Sequence, residues 1–163
     1  MLGILILSVI IVVAIAFSFG AGFWICKNML QKELVKTKSL LLSSWQYQYL
    51  FINMAKLKIK GVGVSDFIKD NNYKNIAIYG LSHVAEVVYE DLKQNDVNVN
   101  YFIDKNKNGD YDNVKIIKPE QTVENIDLII ICVGLGIAKI KNSLDKTYNC
   151  DIYSVEYILE KLS

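Results

Sequence analysis

The chain has 163 residues, 52% hydrophobic and 21% charged, with a formal net charge of +1. That is enough for one ordinary domain plus an apolar segment, and the composition is neither disordered nor fibrous. All eighteen basic residues are lysine, so the planar fork that reads guanine or clamps a phosphate is missing, which counts against sequence-specific nucleic-acid binding.

Residues 1–26 carry no charged side chain. The run exceeds the roughly 20 apolar residues that cross a bilayer core, and Trp24 stands near its end as interfacial aromatics do. A cleaved signal peptide would need a basic start, which is absent before Leu2. The segment is therefore expected to be a single transmembrane helix. Lys27, Lys32, Lys36 and Lys38 follow it and no lysine precedes it. The positive-inside rule then places the N-terminus outside and the C-terminal domain in the cytoplasm. Ala14, Ser18 and Gly22 share one helix face, a spacing that permits self-association, although small residues are common in such spans.

Residues 27–72 read as a basic juxtamembrane helical segment. Between 27 and 60 there are seven lysines and one acid, a net +6, whereas 61–163 carries a net −5. The positive stretch would meet anionic lipid headgroups. Leu34, Leu41, Trp45, Tyr49, Ile52 and Leu57 recur at helical spacing. This stripe is expected to pack on the chain's own domain, with a second copy or the membrane surface as other partners. Gly61 and Gly63 end the helix, and Ser65 is expected to cap a short helix over 66–71.

From 73 to 163 the pattern alternates. Apolar runs at 75–79, 97–103, 114–117, 128–133 and 152–155 predict strands. Helices are predicted over 84–92, 136–146 and 156–162, with a short one opened by Pro119 and Glu120. The run at 128–133 is uninterrupted, as in a strand buried on both faces. The expected fold class is α/β: a Rossmann-like parallel sheet of about five strands with helices on both faces, preceded by the transmembrane helix.

The first strand runs into Gly80-Leu81-Ser82-His83-Val84-Ala85. Small residues at 80, 82 and 85 match the positions where a dinucleotide fingerprint has Gly, Gly and Gly or Ala. There the first residue turns the chain, the second lets backbone approach phosphate, and the third lets helix and strand pack. Asp104 follows the second strand, where a carboxylate would meet ribose hydroxyls. Gly80, Leu81, Ser82, His83, Ala85 and Asp104 are therefore the expected ligand-binding residues. The bound group is not named by the sequence; NAD would suit the fingerprint.

The stretches IAIYGLSHVAEVVYEDL, VNYFIDKNKNGDYD and VKIIKPEQ resemble a Rossmann-like nucleotide-sugar-binding domain of bacterial surface-polysaccharide biosynthesis. The chain is similar to the N-terminal domain of sialic-acid-type sugar O-acyltransferases, and to modules attached to membrane sugar-phosphate transferases. The resemblance covers roughly the last 90 residues. It implies that Gly80, Ser82 and Asp104 bind a UDP-sugar, and that a membrane glycosyltransferase or sugar-phosphate transferase is a partner. No hexapeptide repeats follow, so acyl transfer by these residues is not implied, and His83 stands one position early for the family pattern.

Other constellations carry less. Asp104, Asn106, Asn108 and Gly109 imitate the start of a calcium loop, but Lys115 stands where the bidentate glutamate belongs, so 104–112 reads as a polar turn between strands. Cys26, Cys132, Cys150 and His83 lack zinc-site spacing, so no metal is expected. Tyr157 and Lys161 copy the spacing of a short-chain dehydrogenase without its serine. No catalytic residues are assigned. The leading expectation is a non-catalytic binding module. The alternatives are a ligand-free adaptor for a membrane partner and an NAD-dependent oxidoreductase or epimerase-like enzyme.

Overall fold

The computed structural model describes the backbone of residues 2–163 and the side chains of residues 22–163. Two compact units emerge, Met1–Leu42 and Ser43–Ser163. The expected membrane span, with its Ala14 and Ser18 face, falls mostly on side chains outside the described residues. Among the described residues, no helix is long and apolar enough to cross a membrane.

Helix α1 runs Leu2–Ile59. The only proline is at 119, so nothing breaks it. It closes in a Schellman arrangement: Gly61, at φ +77, donates its N–H to Lys58 O, and Val62 donates to Leu57 O. These bonds satisfy carbonyls that the helix end leaves open. Within the second unit, Leu50 and Leu57 are buried, and Tyr47, Phe51 and Met54 pack against them. These residues recur at i, i+3, i+4 and i+7, one helix face. The expected stripe is largely a different face. Leu57 is buried, but Trp45, Tyr49 and Ile52 are 68%, 50% and 54% exposed. This stretch of α1 is apolar on two sides, so periodicity alone could not choose between them.

Helix α2, Val64–Asp70, is capped by Gly63 and not by Ser65. The Asp66 carboxylate reaches back to accept the Gly63 N–H at 2.7 Å. Ser65 is buried inside the first turn, and its N–H goes to Asp91 at 3.0 Å. Asp91 also accepts from Lys58 at 3.1 Å, so one carboxylate joins the end of α1, the start of α2 and helix α3, His83–Gln94.

The sheet contains β1 (Ile76–Tyr79), β2 (Val99–Ile103), β3 (Asp110–Tyr111), β4 (Val114–Ile117), β5 (Leu128–Ile131) and β6 (Asp151–Ser154), in the order β3-β4-β2-β1-β5-β6. Five strands are parallel, and β3 pairs antiparallel with β4. The added strand is the end of the stretch read as a polar turn. Asp112 and Asn113, at φ 50 and 67, form a two-residue hairpin turn, the left-handed geometry such residues tolerate. Pro119 and Glu120 form a turn instead of the expected short helix. Gln121 N–H bonds back to Lys118 O, and left-handed Asn125 follows before another helical turn can build.

Alternation within the strands assigns the two faces. Ile76, Ile78, Phe102, Leu128 and Ile130 face α2, α3, helix α5 (Val155–Leu162) and the end of α1. Ala77, Ile103, Ile129, Ile131 and Ile152 face helix α4 (Ile137–Leu144) and Tyr148. Every side chain of β5 is fully buried, consistent with a central strand covered on both sides. The direction of strand order reverses between β1 and β5, which creates a crevice outside their carboxyl ends.

Candidate functional site

The turn after β1 borders that crevice. Gly80 has φ +84, and a Cβ there would lie 2.4 Å from Val133 Cγ1. Both the backbone and the neighbour therefore require glycine. Gly80 N–H bonds Ile103 O at 2.9 Å, and Ser82 N–H bonds Gly80 O at 2.8 Å, which closes the turn. Ser82 then caps α3. Its hydroxyl oxygen accepts from Ala85 N–H at 3.4 Å and its proton goes to Cys132 O at 2.7 Å. The hydroxyl thus ties β1 to β5 as well as starting the helix.

Gly80, Leu81, Ser82, Ala85 and Asp104 come together, each with a definite structural job. Leu81 and Ala85 are buried, and Ala85 gives the close helix-to-strand packing its position suggested. The Asp104 carboxylate accepts Leu81 N–H at 2.9 Å, Asn106 N–H at 2.7 Å and Lys107 N–H at 2.9 Å. Burial pulls this carboxyl up, but the N–H donors of Lys107, Asn106 and Leu81 outweigh it and hold the group below the usual carboxylate range. Asp104 therefore joins the Gly80 turn to the loop after β2. His83 stands apart from the buried members, its side chain 90% exposed and its Nδ1 2.9 Å from Glu86.

Two lysines that the sequence did not single out complete this junction. Lys107 Nζ donates to Leu81 O at 2.8 Å. Lys118 Nζ reaches the carbonyls of Lys105 at 3.0 Å and Lys107 at 2.8 Å, with Asp104 O at 3.4 Å. An internal ammonium thus gathers the carbonyls of the loop that imitates a calcium site. Among the described residues no group of three carboxylate, thiol or imidazole side chains could hold a metal ion.

A groove of about 340 Å³ opens beside the turn, lined by Leu81, Ser82, His83 and Glu86, by Lys107 of the loop after β2, and by Tyr47 and Phe51 of α1. Tyr47 and Phe51 are the groove residues that the sequence reading did not single out. Their i, i+4 spacing was the available signal, but the neighbouring Trp45–Tyr49 pair has the same spacing. A second groove of about 380 Å³, between α1, α2 and α3, is walled mainly by Phe51, Met54, Val62, Val64, Val87 and Leu159. Its half-buried Asp91 is already bonded to Lys58 and Ser65. Tyr157 stacks on Tyr153 at 4.8 Å with Lys161 over its outer ring, and neither Tyr157 nor Lys161 lines the groove at the Gly80 turn.

The fold is α/β, a six-stranded, mostly parallel sheet with helices on both faces, and a small groove lies beside the turn after β1. No protein-family model, curated protein or solved structure matches the chain.

Proposed function

We propose that this chain is a membrane-anchored, non-catalytic Rossmann-like module that binds a nucleotide or nucleotide-sugar and serves cell-envelope polysaccharide assembly. The observation that carries the reading is the groove of about 340 Å³ against the Gly80 turn and the start of α3. Ligands of doubly wound sheets bind at that place. The groove offers aromatic faces from Tyr47 and Phe51, an ammonium from Lys107 and a carboxylate from Glu86. Nothing lining it forms a nucleophile–base pair. The resemblance to sugar-nucleotide-binding domains supplies the ligand class, and the uncharged run at 1–26 supplies the anchor.

Calorimetry of the full chain in detergent against UDP, a UDP-sugar, NAD and CoA tests the ligand. Saturable heat with a uridine nucleotide is expected; silence with all four at millimolar concentration ends this reading. A ligand-free adaptor is the second reading, favoured by the exposed Trp45, Tyr49 and Ile52 face. A photo-crosslinker at Trp45 or Tyr49 would then capture a membrane protein, whereas adducts confined to the chain itself would count against it.

A further inference from the structure

Helix α1 forms a wall of the groove as well as part of the core. A dinucleotide lies across the crevice of a doubly wound sheet, outside the ends of both strands at the reversal point. On the β1 side this crevice is open, bounded by Ser82, Glu86 and Lys107. On the β5 side it is filled. A Cβ on Gly134 would lie 3.4 Å from Tyr47 Cζ and 3.6 Å from Ser43 O. The Tyr47 ring therefore rests in van der Waals range of the loop after β5. The ring of Tyr47 then stands where the second half of a dinucleotide would run. The remaining groove of about 340 Å³ lies near the lower end of the roughly 300–1,000 Å³ typical of small-molecule sites.

We infer that Tyr47 sets the length of the ligand, admitting a single nucleotide unit and excluding dinucleotides. The inference rests on the nucleotide reading above. Tyr47 and Phe51 present ring faces on which a base can stack, whatever its identity. Lys107 gives one ammonium proton to Leu81 O and has two others available to a phosphate. Glu86 and His83 line the same groove, suited to hydroxyl groups. The aromatic wall comes from the segment that follows the proposed anchor, so ligand recognition is shared between α1 and the turn after β1.

The test is calorimetry of the full chain in detergent, with UDP and NAD as probes, for the wild type, Tyr47→Phe, Tyr47→Leu and Tyr47→Ala. The wild type and Tyr47→Phe should bind UDP and bind NAD at least about tenfold more weakly, because the ring blocks the path of the second nucleotide unit. Tyr47→Ala should weaken UDP by about tenfold and strengthen NAD, so that the preference narrows or reverses. Tyr47→Leu keeps an apolar side chain for packing and should shift the preference in the same direction if the alanine variant does not fold. An unchanged UDP-to-NAD ratio in the folded variants, with UDP bound by the wild type, overturns the inference and leaves the nucleotide reading standing. Absence of binding by the wild type and all variants overturns both.

Discussion

Gly80 and Gly109 have nearly the same backbone, φ +84 and +89, in different surroundings. A Cβ on Gly109 would meet open space, whereas one on Gly80 would meet Val133 Cγ1 at 2.4 Å. Gly109→Ala should therefore cost about 1 kcal/mol, from the left-handed backbone alone. Gly80→Ala adds a steric clash and should cost roughly 3 kcal/mol. Urea unfolding midpoints of the two variants check this; equal losses would mean that Val133 moves aside freely. Asp104 gives a pH-dependent counterpart. Its folded pKa lies below its ordinary value because three backbone N–H groups outweigh the effect of burial. Such a group contributes its full stabilisation above the unfolded pKa, near 4, and loses it as pH falls through the folded value. Asp104→Asn should thus be less stable than wild type at pH 7, and the gap should shrink below about pH 4. A gap of constant size in urea midpoints at pH 7 and pH 3 would show that the carboxylate's charge contributes nothing.

Helix α1 shows why an element can be legible while its packing is not. The absence of proline before position 119 and the left-handed Gly61 made its extent and end readable, but two of its faces are apolar. Leu57→Ala, on the buried face, should cost about 2–5 kcal/mol. Ile52→Ala, on the exposed face, should stay within about 0.5 kcal/mol. Denaturant midpoints decide, and a reversed ranking would mean that Ile52 is the packed side chain. The parallel strands were readable because burial on both faces selects uninterrupted runs such as Leu128–Ile131. β3 was not, because two residues carry no periodicity and its pairing depends on an Asp112-Asn113 turn. Within the site, the spacing of Gly80, Ser82 and Ala85 is local and could be read. The bonds of Ser82 to Cys132 O and of Lys107 to Leu81 O span 50 and 26 residues. No local pattern encodes such distant partners, nor the meeting of Tyr47 with Gly134.

At the scale of the whole chain, a net +6 over 27–60 is followed by a net −5 over 61–163. If residues 1–26 span a bilayer, the positive stretch holds the chain with its C-terminus in the cytoplasm. The three thiols can report this orientation because their surroundings differ. Cys26 is exposed, Cys132 is fully buried and Cys150 is half-buried. Burial first, then the carboxylates of Asp151, Asp127 and Asp145, pushes the Cys150 thiol up to about 11. Little of it is thiolate at neutral pH, so it should react slowly, and more quickly as pH rises toward that value. A membrane-impermeant maleimide should therefore leave intact cells unlabelled. In inside-out vesicles it should label Cys150 slowly, with Cys132 reacting only after denaturation. Replacing Lys27, Lys32, Lys36 and Lys38 by glutamine removes the charge bias next to the span. A fraction of chains should then invert and become labelled in intact cells. Labelling of the wild-type chain from outside intact cells would overturn the orientation. An unchanged pattern in the glutamine variant would show that something other than these four lysines sets it.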